Sequence, residues 1–250
     1  MKGIGILGVT GRMGHAIGNA AAEAGIPVTG GIDRKGGVHG DHADAAALAA
    51  ASSVLIDFSA PAALERHLRI AVDAERPIVV GTTGLKPEHH AAIDEAARHV
   101  AVLQSANTSL GVNLLRGLVE QAAARLGPDW DIEVLEMHHR DKVDAPSGTA
   151  LLLAQSAAKG RGSMLKELAR FDRMGDHPEG REEGTIGFAS LRGGSVAGDH
   201  MVIFATEGER IELGHRAESR VIFARGAVQA ALWLRDKPVG RYTMQDVLGL

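Results

Sequence analysis

The stretch Ile4-Gly5-Ile6-Leu7-Gly8-Val9-Thr10-Gly11-Arg12-Met13-Gly14 decides the fold. Residues 2–8 read as a short buried strand, and residues 13–24 as an Ala-rich helix with Gly25 as its C-terminal stop. Between them lies a G-x-x-G-x-x-G turn. Gly8 permits the tight turn, Gly11 lets the backbone approach a pyrophosphate, and Gly14 lets the helix pack closely on the sheet. The helix N-terminus offers N–H groups and a partial positive charge to phosphates. A ligand-free strand-to-helix turn has the same pattern, so the neighbouring residues decide. About 20 residues on, a second apolar run ends in Asp33, where an acid takes the ribose hydroxyls in dinucleotide folds. Arg34 and Lys35 follow, and either pair with a 2′-phosphate or stand as two solvated charges.

Working outward, the alternation continues. Strand-like runs at 54–58, 77–80 and 100–103 alternate with helices opened by Pro61 and Pro87, the second reaching about residue 98. Such alternation implies a Rossmann-like, doubly wound parallel sheet with right-handed crossovers. After a helix over 110–126 the pattern changes. Residues 131–137 alternate polar and apolar, and runs at 186–191, 200–205 and 210–213 follow without long helices between them. This predicts a second α+β domain with an open mixed sheet. The expected division is 1–108, completed by 217–250, and 109–216. A helix over 219–234 returns to the first domain, and the Gly- and charge-rich stretch 160–183 reads as mobile or linking.

Composition narrows the function classes. Hydrophobic residues at 45% and charged residues at 23% of 250 residues suit a soluble globular chain. Aromatics at 3% and a net charge of -4 leave neither stacking platforms nor a field for a polyanion, so no nucleic-acid partner is expected. No apolar stretch approaches the roughly 20 residues of a bilayer span, and residues 1–8 are too short for a signal peptide. With 0 cysteines there is no disulfide framework, thiolate metal site or cysteine nucleophile, which is compatible with a cytoplasmic location.

The richest chemistry lies in Glu136-Met137-His138-His139-Arg140-Asp141-Lys142-Val143-Asp144-Ala145-Pro146-Ser147-Gly148-Thr149-Ala150. His138, His139, Arg140 and Lys142 can supply charge, and Ser147, Gly148 and Thr149 at a helix start can hold a carboxylate by N–H and hydroxyl donors. A polar loop capped into a helix by Ser147 is the plainer alternative. The adjacent histidines raise a metal site, but neighbours on an extended strand point to opposite faces and no third ligand is near in sequence, so no metal is expected. His67, His89 and His90 sit among charged neighbours in helical patterns and read as surface residues. Gly81-Thr82-Thr83-Gly84 ends a strand at the sheet edge where ligands bind in open α/β folds; a plain turn is the alternative.

The run from Glu136 to Ala150 resembles the E-x-H-H-x-x-K-x-D-x-P-S-G-T-A signature of the dihydrodipicolinate reductase family. The turn from Gly8 to Gly14, Asp57-Phe58-Ser59, Gly81 to Gly84, Ser105-Ala106-Asn107, Gly111-Val112-Asn113 and the segments 186–194 and 198–204 fall in that family's order. The resemblance implies hydride transfer from NADH or NADPH to a cyclic imine dicarboxylate, 4-hydroxy-tetrahydrodipicolinate, in lysine and diaminopimelate biosynthesis. It implies that His138 and Lys142 are catalytic and that His139, Gly148 and Thr149 bind substrate carboxylates. It places the dinucleotide on Gly8, Val9, Thr10, Gly11, Arg12, Met13, Asp33, Arg34, Gly81, Thr82, Thr83, Ser105, Ala106, Asn107 and Thr108, and it implies a homotetramer built through the second domain's sheet. Thr108 departs from the aromatic that the family usually carries there, and the loops after Gly31 and around 160–183 are short. Two other readings share the first domain: an aspartate or diaminopimelate dehydrogenase, and a non-catalytic NAD(P)H-binding regulator.

Overall fold

The computed structural model describes residues 2–250, which separate into one unit running up to Leu110 and including Val221–Leu250, and another of Gly111–Arg220. The chain begins with β1 (Ile4–Leu7), α1 (Arg12–Glu23), β2 (Val28–Ile32), β3 (Val38–His39) and α2 (Ala45–Ala51). Next come β4 (Val54–Asp57), α3 (Pro61–Asp73), β5 (Ile78–Val80), α4 (Pro87–Ala96) and β6 (Ala101–Gln104). The second unit holds α5 (Leu110–Arg125) except for its first residue, β7 (Asp131–His138), α6 (Gly148–Gly160), α7 (Leu165–Leu168), β8 (Ala169–Arg170), β9 (Ile186–Arg192), β10 (Gly198–Thr206) and β11 (Glu209–Ala217). α8 (Val221–Leu234), β12 (Gly240–Tyr242) and α9 (Met244–Leu248) complete the first unit.

Local chemistry sets these boundaries. Pro61 and Pro87 occupy the first helical turn, where a missing N–H costs nothing, and the Asp44 carboxylate caps α2 by accepting from the Ala47 amide at 2.8 Å. Gly25, at φ 68°, reverses the chain after α1. The first sheet has the order β12-β6-β5-β4-β1-β2-β3, parallel throughout except for the antiparallel β3. Alternate side chains of its strands enter opposite faces. Ile4, Ile6, Val54 and Ile56 pack with Ile17, Ala227 and Leu234 under α1 and α8, while Leu7, Leu55, Ile78 and Val80 pack with Leu48, Leu64 and Ile93 under α2, α3 and α4. Parallel pairing sends every strand's C-terminal end to one edge, and strand order reverses between β1 and β4. A doubly wound sheet binds ligands at that point.

The second sheet is mixed, in the order β11-β10-β7-β9-β8. β7, β9 and β8 run parallel, whereas β10 is antiparallel to both β7 and β11. Strict alternation along β7 buries Ile132, Val134, Glu136 and His138 on one face. There Ile132 and Val134 meet Leu115 and Val119 of α5, Leu153 and Ala157 of α6, and Val202 and Phe204 of β10. On the other face Leu135, Met137, Leu191 and Met201 line a groove of about 370 Å³.

Several elements depart from expectation. β3, α2, β12 and α9, of 2, 7, 3 and 5 residues, are too short to stand out in sequence, and β3 and β12 form the two edges of the first sheet. The stretch expected to be mobile or linking contains α7 and β8, and Arg181 pins it. Its guanidinium donates to Asp131, Glu133, Ile132 O and Thr185 O, at 2.7 to 3.0 Å. α4 stops at Ala96 rather than near residue 98. No helix is long and apolar enough to cross a membrane among the described residues.

Two helical glycines test this packing. A Cβ at Gly226 of α8 would lie 1.8 Å from the Thr108 carbonyl oxygen, whereas one at Gly18 of α1 meets nothing within 4 Å. Ala gains about 1 kcal/mol over Gly in a helix. A clash with backbone costs more, typically about 1–3 kcal/mol. Gly18→Ala is therefore expected to raise the denaturation midpoint and Gly226→Ala to lower it, as followed by circular dichroism; the same sign for both would contradict the packing.

Candidate active site

In the first unit the glycine turn is held against its neighbours at the switch point. The Gly8 and Val9 amides donate to Ile32 O at 2.7 and 3.0 Å. Gly8 has φ 93°, and a Cβ on Gly14 would lie 2.3 Å from Gly8 O, so neither position admits a side chain. α1 then begins with Gly11 as its cap, with no side-chain capping bond and no acidic residue in its first turn. Its positive end is left un-neutralised, and Gly11 leaves the approach clear. These features fit a dinucleotide pyrophosphate. Val9 and Thr10 lie in the turn, and Arg12 and Met13 in the first helical turn.

Asp33 stands directly after β2 and organises the next turn. Its Oδ1 accepts from the Lys35 and Gly37 amides, both at 2.8 Å, and its Oδ2 lies 3.2 Å from His39 Nε2. The His39 contact first, then the Gly37 amide, holds the Asp33 carboxyl below its ordinary value. Arg34 and Lys35 are exposed beside it. Sequence reasoning missed a third cation: a Cβ on Gly36 would meet the Arg66 guanidinium at 2.7 Å, which puts this α3 residue over the same turn.

Phe58 and Ser59 follow β4, Gly81 to Thr83 follow β5, and Ser105 to Thr108 follow β6, all at the C-terminal edge of the sheet. A buried network joins the first two. Asp57 Oδ1 accepts from the Ser59 amide, the Ser59 hydroxyl and the Thr82 hydroxyl at 2.9, 2.6 and 2.9 Å, and Oδ2 lies 3.0 Å from His67 Nδ1. His67 is thus no surface residue. It is 3% exposed, because from α3 it faces the fully buried carboxylate at the end of β4. The Thr82 hydroxyl points inward to this network, and the Phe58 ring fills the space a side chain at Gly81 would need. Ser105 and Asn107 bond to each other in a closed turn, Ala106 is exposed between them, and the Thr108 hydroxyl donates to Phe223 O at 2.7 Å. The departure at Thr108 therefore anchors α8 through its side chain.

The second unit gathers the chemistry of the segment 136–150. Glu136 and His138, two apart on β7, share its buried face. His138 Nδ1 lies 2.6 Å from Glu136 Oε2, and Arg192 grips both oxygens of that carboxylate, at 2.8 and 2.9 Å. The Ser147 amide donates to Oε1 at 3.2 Å. Burial raises the Glu136 carboxyl, but hydrogen bonds from Arg192, His138 and Ser190 outweigh it and leave it below its ordinary value. Ser147 caps α6 by accepting from Ala150 N at 3.1 Å, and no acidic residue follows in the first turn. A Cβ at Gly148 would meet nothing within 4 Å, so the start of α6 is open for an anion beside Thr149.

His139 lies 3.3 Å from an Arg220 nitrogen, a pairing between the segment and the end of the unit that sequence spacing did not reveal. Lys142 is paired with both oxygens of Asp144, each at 2.8 Å, and the pairing holds the Asp144 carboxyl down. Arg192 also donates to Asp144 O at 2.6 Å. His200 of β10 stands edge-on to His138 with ring centroids 5.0 Å apart, its Nε2 3.0 Å from the Ser147 hydroxyl. Burial first, then the neighbouring His138, pushes His200 down to about 4. No group of three or more His, Asp or Glu that could hold a metal occurs among the described residues.

Two family profiles cover this chain, one described as dihydrodipicolinate reductase, N-terminus, over residues 2–108, the other as dihydrodipicolinate reductase, C-terminus, over residues 111–248. The chain belongs to the dihydrodipicolinate reductase family. It is 60% identical over 247 residues to the 4-hydroxy-tetrahydrodipicolinate reductase of Zymomonas mobilis, with 99% of this chain and 97% of that protein covered. Among solved structures it is similar to the dipicolinate-bound dihydrodipicolinate reductase from Paenisporosarcina sp. TG-14, with a TM-score of 0.79 at 21% identity over 98% of both chains. An aspartate dehydrogenase from Thermotoga maritima gives 0.51 at 10% identity over 96% of this chain and 99% of that one. These two structural likenesses concern the fold alone. Dihydrodipicolinate reductases use NADH or NADPH, and this member of the family is an NAD(P)H-dependent oxidoreductase.

Two outcomes follow from this geometry. Arg34→Ala is expected to weaken NADPH about ten- to a hundred-fold, the worth of one charge-assisted hydrogen bond, and NADH much less; fluorescence titrations giving equal losses would remove Arg34 from the phosphate. His200 has a folded pKa of about 4 against an ordinary 6.5, so the unfolded chain binds the extra proton first. The stability its neutral form supplies is complete above pH 6.5 and is lost as pH falls toward 4, with about 2 kcal/mol gone between pH 7 and 5. Urea titrations should show a flatter acid limb in His200→Gln; an unchanged slope would mean that His200 is not held neutral by the fold.

Proposed function

We infer that the chain reduces 4-hydroxy-tetrahydrodipicolinate to tetrahydrodipicolinate with NADH or NADPH, a step of lysine and diaminopimelate biosynthesis. The observation that carries this reading is one carboxylate, Glu136, bonded both to His138 and to the Ser147 amide at the start of α6. It sets a proton-exchanging imidazole beside an anion-binding helix start, which an imine dicarboxylate requires and a dinucleotide-binding regulator does not. An aspartate or diaminopimelate dehydrogenase would share the fold without the segment from His138 to Thr149.

The reaction takes up a hydride and a proton and releases water. When bound, the nicotinamide cofactor supplies the hydride. In this reading the first unit is the dinucleotide-binding domain, with Gly8 to Met13, Asp33, Arg34, Gly81 to Thr83 and Ser105 to Thr108 along its ligand edge, and the second binds substrate and builds the oligomer. Gly148 and Thr149 at the start of α6, with His139, hold the substrate carboxylates, and His138 exchanges a proton through Nε2. Lys142 must leave Asp144 to reach a substrate anion. The Asp144 side chain is 57% exposed and the Lys142 side chain 18%, so solvent reaches the pair from the carboxylate side and weakens it. The apolar groove lined by Leu135, Met137, Leu191 and Met201 supports a homotetramer built through this sheet face. A biosynthetic reductase without cysteine suits the cytoplasm.

The test is a coupled assay that forms the unstable substrate in place from aspartate semialdehyde and pyruvate and follows nicotinamide absorbance. Oxidation of NADH or NADPH is expected; none with either cofactor and a folded protein would overturn the reading. In the same assay Lys142→Ala and His138→Ala should each lower kcat by about a hundred-fold or more with NADH affinity intact. Near-normal kcat in both would return the segment to a charged loop. Thr149→Val should raise the substrate KM and leave cofactor affinity alone; the reverse pattern would reassign the start of α6.

A further inference from the structure

We propose that Glu136 is the positioning residue of the reaction, fixing the His138 ring so that Nε2 exchanges the proton and tying that ring to the substrate-anion site at the start of α6. The inference rests on the reading of His138 as the proton-exchanging group. His138 is 8% exposed, with cationic and titratable groups on the neighbouring strands and in the loop that follows. Arg192 approaches from β9 and His200 from β10, with His215 paired to His200 across β11, while Lys142 and Arg140 follow in the loop. Glu136 supplies the compensating charge at 2.6 Å from Nδ1, whereas Asp144 faces Lys142 instead. A buried imidazole can carry a proton only with such a partner.

The geometry also selects the tautomer. An ionised carboxylate only accepts, so Nδ1 carries the hydrogen and Nε2 is left as acceptor. Nε2 faces the one neighbour on that side with no side chain: a Cβ on Gly198 would lie 3.0 Å from it. Arg192 completes the device. Its two nitrogens fix the carboxylate's orientation and keep it ionised, and one of them reaches Asp144 O at 2.6 Å, so the loop bearing Lys142 hangs from the same anion. The Ser147 amide occupies the remaining direction at Oε1. A carboxylate that only braced β7, β9 and α6 would need neither the contact to Nδ1 nor a vacant Nε2.

The test uses Glu136→Gln, which keeps the shape and removes the charge, beside His138→Asn and Arg192→Lys, each assayed for kcat, KM and NADH affinity across pH. Glu136→Gln is expected to lower kcat about ten-fold or more, because the ring loses both its charge partner and its enforced tautomer. The ionisation seen in the kcat–pH profile should move to lower pH, with NADH affinity unchanged. Arg192→Lys keeps the charge and loosens the two-point grip on the carboxylate, so it should lower kcat in the same sense by less, which keeps the question open to measurement if Glu136→Gln folds poorly. A large loss in His138→Asn with kcat and pH profile unmoved in Glu136→Gln and Arg192→Lys would overturn the positioning role while leaving His138 in place. Near-normal kcat in His138→Asn would overturn the reading of His138 itself, and the positioning role with it.

Discussion

A carboxylate that is 1% exposed dominates the second unit, and its charge must be met on every side. Glu136 faces the buried side of β7 because strand alternation puts it in register with Ile132 and Val134. The apolar neighbours of that face cannot solvate it. Compensation comes from Arg192 on β9, His138 on β7 and the Ser147 amide that opens α6. Three elements are thereby fixed to one point by charge-assisted bonds, each about twice as strong as a neutral one. Removing the partner of such a charge costs about 3–5 kcal/mol, more than any single surface ion pair on the chain can contribute.

The first unit depends on a steric constraint instead. Gly8, Gly14, Gly31 and Gly81 each stand where a Cβ would strike a neighbour within 2.6 Å. Backbone and ring atoms therefore meet directly at the ends of β1, β2 and β5, next to the start of α1. Asp57, fully buried, secures the same edge from below by joining Ser59, Thr82 and His67. Both units thus place a buried carboxylate behind a helix start or glycine turn that presents N–H groups to an anion. One binds a dinucleotide in this family, and the other is read as the dicarboxylate site.

Much of this was legible in the residues. The glycine turn, the acid after the second strand and the alternation of short strands with helices announced the parallel sheet, since each follows from local sequence. The strand at 131–137 could be read from its period of two, and Ser147 as a cap from the apolar run behind it. What stayed hidden depends on partners distant in the chain. Nothing local distinguishes His67 from His89 and His90, yet Asp57 lies across from the first and makes it a buried group. Arg192, Arg220 and Arg66 are likewise three unremarked arginines until folding sets them beside Glu136, His139 and the turn after Asp33. The stretch after residue 160 has the composition of a linker, and what composition does not reveal is that Arg173 and Arg181 tie it to Glu133 and Asp131.

In this reading one buried carboxylate unites the proton-exchanging imidazole with the anion site. A crystal structure of the chain with NADH and pyridine-2,6-dicarboxylate, a planar dianion of the substrate's shape, tests it most directly. One carboxylate of that dianion is expected on the Gly148 and Thr149 amides, with His138 Nδ1 still bonded to Glu136 and Nε2 turned toward the ring. A dianion bound away from the start of α6, or a His138 ring released from Glu136 when the dianion is in place, would contradict it.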